Sequence, residues 1–111
     1  MYQSEPILNK KETLTIIAQL LMEKPKTSIN SLREAVKNIL RVRGAIGPFS
    51  ETKGGGTYHY TMRISDKDIL LVNECIYDLL YTRVITPGID EANLELPWIH
   101  VSDEEKLKSF L

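Results

Sequence analysis

Residues 83–101 read RVITPGIDEANLELPWIHV, and the Pro87-Gly88 pair inside them restricts the backbone more than any other part of the chain. Proline presets φ at the second position of a turn and glycine supplies the positive φ required at the third, so Thr86-Pro87-Gly88-Ile89 reads as a type II turn. RVIT ahead of it has the character of a short strand. About nine residues after the turn, WIHV offers a second. The chain is therefore expected to fold back on itself here as a loose hairpin, with Trp98 and Val101 as its anchors and Ile99 on the face opposite Trp98.

Helices are signalled by a capping pattern, in which a short polar side chain accepts from early N–H groups while an acidic residue three positions later reaches back. The pairs Asn9/Glu12, Ser31/Glu34, Ser65/Asp68 and Ser102/Glu105 each precede a run of helical periodicity. The first run, roughly 10–24, places Leu14, Ile17, Ala18 and Leu21 on one stripe and stops at Pro25. The second, roughly 30–43, sets Leu32, Ala35, Val36, Ile39 and Leu40 inward, and Gly44 suits its left-handed terminus. The third, roughly 66–83, carries Ile69, Val72, Ile76, Leu79 and Leu80, with Leu70, Leu71 and Cys75 widening the apolar arc, and reads as the central helix. The last, roughly 103–110, is short and offers Leu107, Phe110 and Leu111 to the body. Between the second and third helices, TYHYTMRI alternates with the period of a half-buried strand, and Gly54, Gly55 and Gly56 read as a flexible connection ahead of it.

A chain of 111 residues with 42% apolar and 26% charged residues has the size and composition of one globular domain, expected to span 1–111. Its apolar stretches are much shorter than the ~20 residues that cross a bilayer. No apolar h-region opens the chain, and the single Cys75 builds no disulfide framework, so a cytoplasmic location without a membrane partner is expected. Charge divides unevenly. Residues 1–64 carry ten Lys and Arg against five Asp and Glu, whereas residues 65–111 carry four against ten. An excess of this kind in one half is a recognised sign of a basic contact surface.

The sequence from the central helix onward resembles winged helix-turn-helix domains, in which such a helix runs into an apolar strand, a Pro-Gly turn and a return strand of the form N…P-W/F-hydrophobic-H-V. The residues that carry the resemblance are Leu79, Leu80, Val84, Ile85, Pro87, Gly88, Asn93, Pro97, Trp98, His100 and Val101. It implies an α+β winged-helix fold with three main helices, a β-hairpin wing and a short C-terminal helix. In function it implies duplex DNA binding, as a small regulator of transcription or as the DNA-contacting module of a larger protein. One feature departs from the family. A turn of about 3–4 residues joins the paired helices of a helix-turn-helix, whereas more than twenty residues, a strand among them, separate the second and third helices here. Either these are not that pair, or a ribbon has been inserted into the turn.

In the family the helix before the wing enters the major groove and the wing tip grips phosphate. Here that helix carries Asp66, Asp68, Glu74 and Asp78 against Lys67 and Arg83, and the wing loop carries Asp90, Glu91 and Glu95 without a single lysine or arginine. Better phosphate contacts are Arg33, Lys37 and Arg41, spaced i, i+4, i+8 along the second helix, together with Arg43 and with Lys53 beside the glycines. A solvated helix face accounts for the same stripe without a partner. TKGGGTYHY lacks the Gly-Lys-Ser/Thr ending of a phosphate-binding loop, and the alternation of Tyr58 and Tyr60 suits a sheet face better than base stacking. His59, His100 and Cys75 form no acid, base and nucleophile set and no metal-ligand spacing, so neither catalysis nor a cofactor is expected. The alternative to DNA is a winged-helix module for protein interaction or homodimerisation, whose acidic wing meets a basic partner.

Overall fold

Each helix begins at a short polar side chain that accepts an early backbone N–H. The computed structural model describes residues 2–111, with the side chains of Tyr2 and Lys53 outside that description. Helix α1 (Lys10–Glu23) is capped by Asn9, whose Oδ1 accepts from Glu12 N at 2.8 Å, and α3 (Asp66–Tyr81) by Ser65, whose Oγ accepts from Asp68 N at 3.0 Å. Helix α2 (Ile29–Val42) starts earlier than expected, because Ser28 and not Ser31 is its cap and Ser31 N is the donor at 3.0 Å. The reason is tertiary: Lys26–Ser28 form strand β2, and Ile29, donating to Pro97 O at 2.9 Å, is buried only if the helix begins there. Helix α4 (Glu104–Lys108) is likewise capped by Asp103 rather than Ser102, whose hydroxyl instead donates to Arg83 O at 2.8 Å.

The helix ends follow one rule. Gly44, at φ +79, closes α2 with Ala45 N donating to Leu40 O and Gly44 N to Arg41 O. Helix α3 ends the same way, with Val84 N donating to Leu79 O and Arg83 N to Leu80 O, so Arg83 takes the left-handed position at φ +62. The helix therefore stops at Tyr81 and not at Arg83. Both ends satisfy carbonyls that the last turn would otherwise leave without donors.

Two three-stranded sheets flank the helices. In one, β2 pairs antiparallel with β6 (Trp98–Val101), which pairs antiparallel with β5 (Ile85–Pro87), giving the order β2-β6-β5. Paired strands are present where the hairpin was expected, but Thr86-Pro87-Gly88-Ile89 is not its turn: Pro87 pairs with Ile99 inside β5, Gly88, at φ +102, prolongs the ladder by donating to Trp98 O at 2.7 Å, and the chain reverses at Asp90–Asn93, with Ile89 N donating to Asn93 O at 2.8 Å. The other sheet, in the order β1-β4-β3, contains a strand that the sequence pattern does not reveal. Strand β3 (Gly47–Lys53) runs antiparallel to β4 (Gly56–Arg63), with β1 (Tyr2–Gln3) parallel to β4. Gly54 and Gly55, at φ +60 and +83, form a two-residue turn of the kind that needs positive φ at both positions, so they are a hairpin tip rather than a loose connection. Phe49 stacks on Tyr60 across the ribbon, with centroids 5.7 Å apart. Beyond that pair the ribbon is solvated on both faces, Tyr58 included, so the expected half-buried strand is half-buried only toward its base.

The main core gathers Ile16, Ile17, Ala18 and Leu21 of α1, Leu32 and Val36 of α2, Val72, Cys75, Ile76 and Leu79 of α3, and Val84, Ile85, Ile99 and Leu107. A second, smaller cluster of Leu40, Ile46 and Ile64 lies at the base of the ribbon. Two expectations are corrected here. Leu70 is 65% exposed and widens no buried arc. Trp98 is 37% exposed whereas Ile99 is fully buried, so the hairpin is anchored by the aliphatic residue on the opposite face, with Val101 packed beside it. Strand alternation permits either face to point inward, and the register Thr27↔Ile99↔Pro87 places Ile99 beneath both neighbouring strands. Ile99→Ala is expected to lower stability by about 2–4 kcal/mol in urea denaturation, and Trp98→Ala by less than half of that; the reverse order would restore the indole as the anchor.

Candidate nucleic-acid interface

Helix α2 presents its buried side through Leu32, Val36 and Leu40, which sets Arg33, Lys37 and Arg41 along an adjoining side. Residues 33 and 41 are separated by ~12 Å along the axis at 1.5 Å per residue. Neutral amides orient both guanidinium groups. Arg33 Nε donates to Asn73 Oδ1 at 2.7 Å and its Nη1 to Asn30 Oδ1 at 3.2 Å, while Arg41 Nη1 donates to Asn38 Oδ1. An amide oxygen fixes direction without cancelling charge. Among the described residues neither arginine has a carboxylate within ion-pair distance, so both keep their full positive charge. Lys37 shares its charge with Glu34 at 3.2 Å, an i,i+3 pair at the surface.

The other expected contacts part from this stripe. Arg43 pairs with Glu12 of α1 at 2.7 Å, which turns it away from Arg41 and neutralises it. The Lys53 side chain lies outside the described residues. Further cations are neutralised in the same way: Lys10 bridges Asp78 at 2.7 Å and Glu74 at 3.2 Å, hydrogen bonds that raise its pKa, and Arg63 pairs with Asp66 at 3.0 Å. The partners that orient the stripe, Asn30, Asn38 and Asn73, are not among the residues that the sequence pattern singles out. Asn30 and Asn38 are each three residues from an arginine on the same helix and are detectable by that spacing; Asn73 is forty residues from Arg33 and carries no such signal.

The face formed by α3 and the hairpin has a different chemistry. Tyr81 is 89% exposed, and Tyr77 and Leu70 stand on the same helix with more than half their surface open. A groove of about 750 Å³ runs between the end of α3 and the hairpin, lined by Tyr77, Tyr81, Pro87 and Leu96 among others. In the hairpin loop Asp90 is structural: its Oδ1 accepts from Ala92 N, Asn93 N and Asn93 Nδ2 at 2.9–3.2 Å, leaving Glu91 and Glu95 as the solvated acids. Asp68 is another structural acid, buried at the start of α3, where its carboxylate accepts from Ile7 N and Leu8 N at 3.2 and 3.1 Å and holds the segment that leads into α1.

The residues considered for catalysis are dispersed. His100 Nδ1 lies 2.7 Å from Gly88 O, so that ring nitrogen carries the proton and donates to the hairpin's own backbone. His59 is exposed on the ribbon. Among the described residues no group of three or more His, Cys, Asp or Glu side chains is placed to hold a metal ion, and no helix is long and apolar enough to cross a membrane. Comparison of the chain with protein-family models, with curated proteins and with solved structures gives no match.

Cys75 lies in the core, and burial pushes its thiol pKa up to about 11. At pH about 8 a model thiol is partly ionised, whereas this one is neutral and shielded. An aromatic disulfide reagent is therefore expected to leave Cys75 unmodified in the native protein and to modify it completely in denaturant. Rapid modification under native conditions would place the thiol at the surface.

Proposed function

We propose that this chain is a winged-helix module that binds duplex DNA through the backbone, with α2 as its main contact. The winged-helix reading is supported by the succession of α1, β2, α2, α3, β5 and β6, by the antiparallel order β2-β6-β5, and by the β3–β4 ribbon standing where the helix-turn-helix turn would be. The helix-turn-helix pair is then α2 and α3 with a ribbon inserted, and α2 is the helix that crosses the phosphate backbone.

The observation that carries the DNA reading is that Arg33 and Arg41 are oriented by asparagines and not neutralised by acids. Their ~12 Å axial separation allows each to meet a separate phosphate. Helix α3 is poorly equipped to read bases, because its open surface is Leu70, Tyr77 and Tyr81 beside Asp66 and Glu74, with Lys67 as its one exposed cation among the described residues. Phosphate contact without base readout gives affinity that depends steeply on salt and little on sequence. The reading assigns the chain no catalytic step. As a free-standing protein it would act as a small regulator; as part of a longer chain, as its DNA-contacting module.

A second reading is favoured by one observation, the exposed Tyr77, Tyr81 and Leu96 around the groove with Glu91 and Glu95 on the neighbouring loop. Aromatic residues in an open groove with an acidic rim suit a protein partner that presents apolar side chains among lysines and arginines.

Fluorescence anisotropy with duplexes of unrelated sequence, over a range of salt, separates the two. The DNA reading predicts binding that weakens as salt rises, with a log–log slope reduced by about 2 units in the Arg33→Ala/Arg41→Ala variant, near 0.9 for each phosphate that is no longer neutralised. Binding that ignores salt, or a slope unaltered in the double variant, contradicts it. Loss of duplex binding on Tyr81→Ala with the α2 variant unaffected would move the interface to the α3 face.

A further inference from the structure

The hydrophobic interior is divided, and a half-open pocket lies along the division. Val72 belongs to the main core, whereas Ile64 and the half-buried Ile69 belong to the cluster at the base of the ribbon. Between them lies a cavity of about 350 Å³, lined by Ile64, Ile69 and Val72 and rimmed by Arg33, Lys37 and Asn73. It sits where α2 and α3 would be drawn together by a short turn and are instead joined through the β3–β4 ribbon. The volume falls within the range of pockets that take small organic ligands.

The two halves of this cavity make different demands. Its floor is formed by the aliphatic side chains of Ile64, Ile69 and Val72, so ordered water gains little there and an apolar group gains much. Its rim is cationic. Arg33 uses Nε and one Nη1 hydrogen on Asn73 and Asn30, which leaves three of the five guanidinium N–H donors. Among the described residues Lys37 is held by Glu34 alone, at 3.2 Å, a pair that an incoming anion can displace. A neutral hydrocarbon leaves the rim unused, and inorganic phosphate leaves the floor unused.

We propose that this cavity is a binding site for a small carboxylate with an apolar body, such as a medium-chain or aryl-substituted carboxylic acid, with its tail on Ile64, Ile69 and Val72 and its carboxylate on Arg33 and Lys37. Because Arg33 also belongs to the stripe assigned to DNA, the bound carboxylate cancels charge on that stripe and weakens duplex binding. This last consequence rests on the DNA reading; the binding itself does not.

The test is a ¹H–¹⁵N NMR titration of the full chain with octanoate and, separately, with octanamide, its neutral counterpart. The site predicts saturable shifts at the amides of Arg33, Ile64, Ile69 and Val72, with octanamide at least about tenfold weaker because it lacks the charge-assisted contact. Arg33→Gln should weaken octanoate several-fold and leave octanamide unchanged, and Ile69→Trp, which fills the cavity from a half-buried position, should abolish both. If Ile69→Trp fails to fold, as spectral dispersion would reveal, Arg33→Gln decides alone. Equal affinities for octanoate and octanamide, shifts confined to Tyr81 and Leu96, or no saturation would each overturn the site. Octanoate should also lower the anisotropy of a bound duplex. If no duplex binds, the NMR result still stands or falls by itself; if octanoate binds and a bound duplex is unaffected, the coupling fails and the site survives.

Discussion

Strand β6 is hydrogen-bonded along both edges, and most of the architecture depends on it. One edge holds β2, which is continuous with the start of α2; the other holds β5, which follows the end of α3. Two further bonds extend the grip, Val101 N to Pro25 O and Ile29 N to Pro97 O, each 2.9 Å. Individually such bonds contribute about 1 kcal/mol net, and burial of Ile99 adds about 2–3 kcal/mol. Together they determine where α2 begins and which of its sides faces the core. The placement of Arg33, Lys37 and Arg41 at the surface is thus a consequence of a four-residue strand more than fifty residues further along the chain.

The ribbon between α2 and α3 is the second organising feature. At its base Leu40 of α2 packs with Ile46 and Ile64, and Ile69 of α3 packs against them, in a cluster apart from the one that holds Val72. Arg33 reaches Asn73 beside this division, and the cavity lies next to them. Surface chemistry therefore divides by element. Cations held by amides lie on α2, whereas aromatic and acidic side chains occupy α3 and the hairpin loop. The opposite net charges of the two halves of the sequence reflect this division, although several N-terminal cations are spent on ion pairs, as with Arg43 on Glu12 and Lys10 on Asp78.

What could be read from the sequence was local. Asn9 and Ser65 as caps, Gly44 as a terminus and the positive φ of Gly88 follow from backbone chemistry within a few residues, whereas the reversal itself falls at Asp90–Asn93 and not at Pro87-Gly88. What could not be read was decided at a distance. Ser28 and Ser31 are equally good caps in isolation, and pairing of β2 with β6 selects the first. Trp98 and Ile99 are both apolar and alternate across the strand; the register, not the size of the side chain, turns Ile99 inward. Strand β3 contains Pro48 and little apolar alternation, and the glycines that make its turn read equally well as a flexible connection, so nothing local revealed it. At the candidate interface the basic stripe was visible as a spacing, while the partners that separate Arg33 and Arg41 from the neutralised Arg43 come in part from other elements, Asn73 of α3 and Glu12 of α1.

The proposed duplex contact on α2, rather than on the helix preceding the hairpin, is open to direct measurement. Backbone amide shifts of the ¹⁵N-labelled chain during titration with a short duplex locate the contact directly. The account predicts perturbations concentrated between residues 29 and 44, with the α3 surface around Tyr77 and Tyr81 and the loop around Glu91 and Glu95 little affected. Shifts centred on that surface and loop, or none at all at low salt, would contradict it.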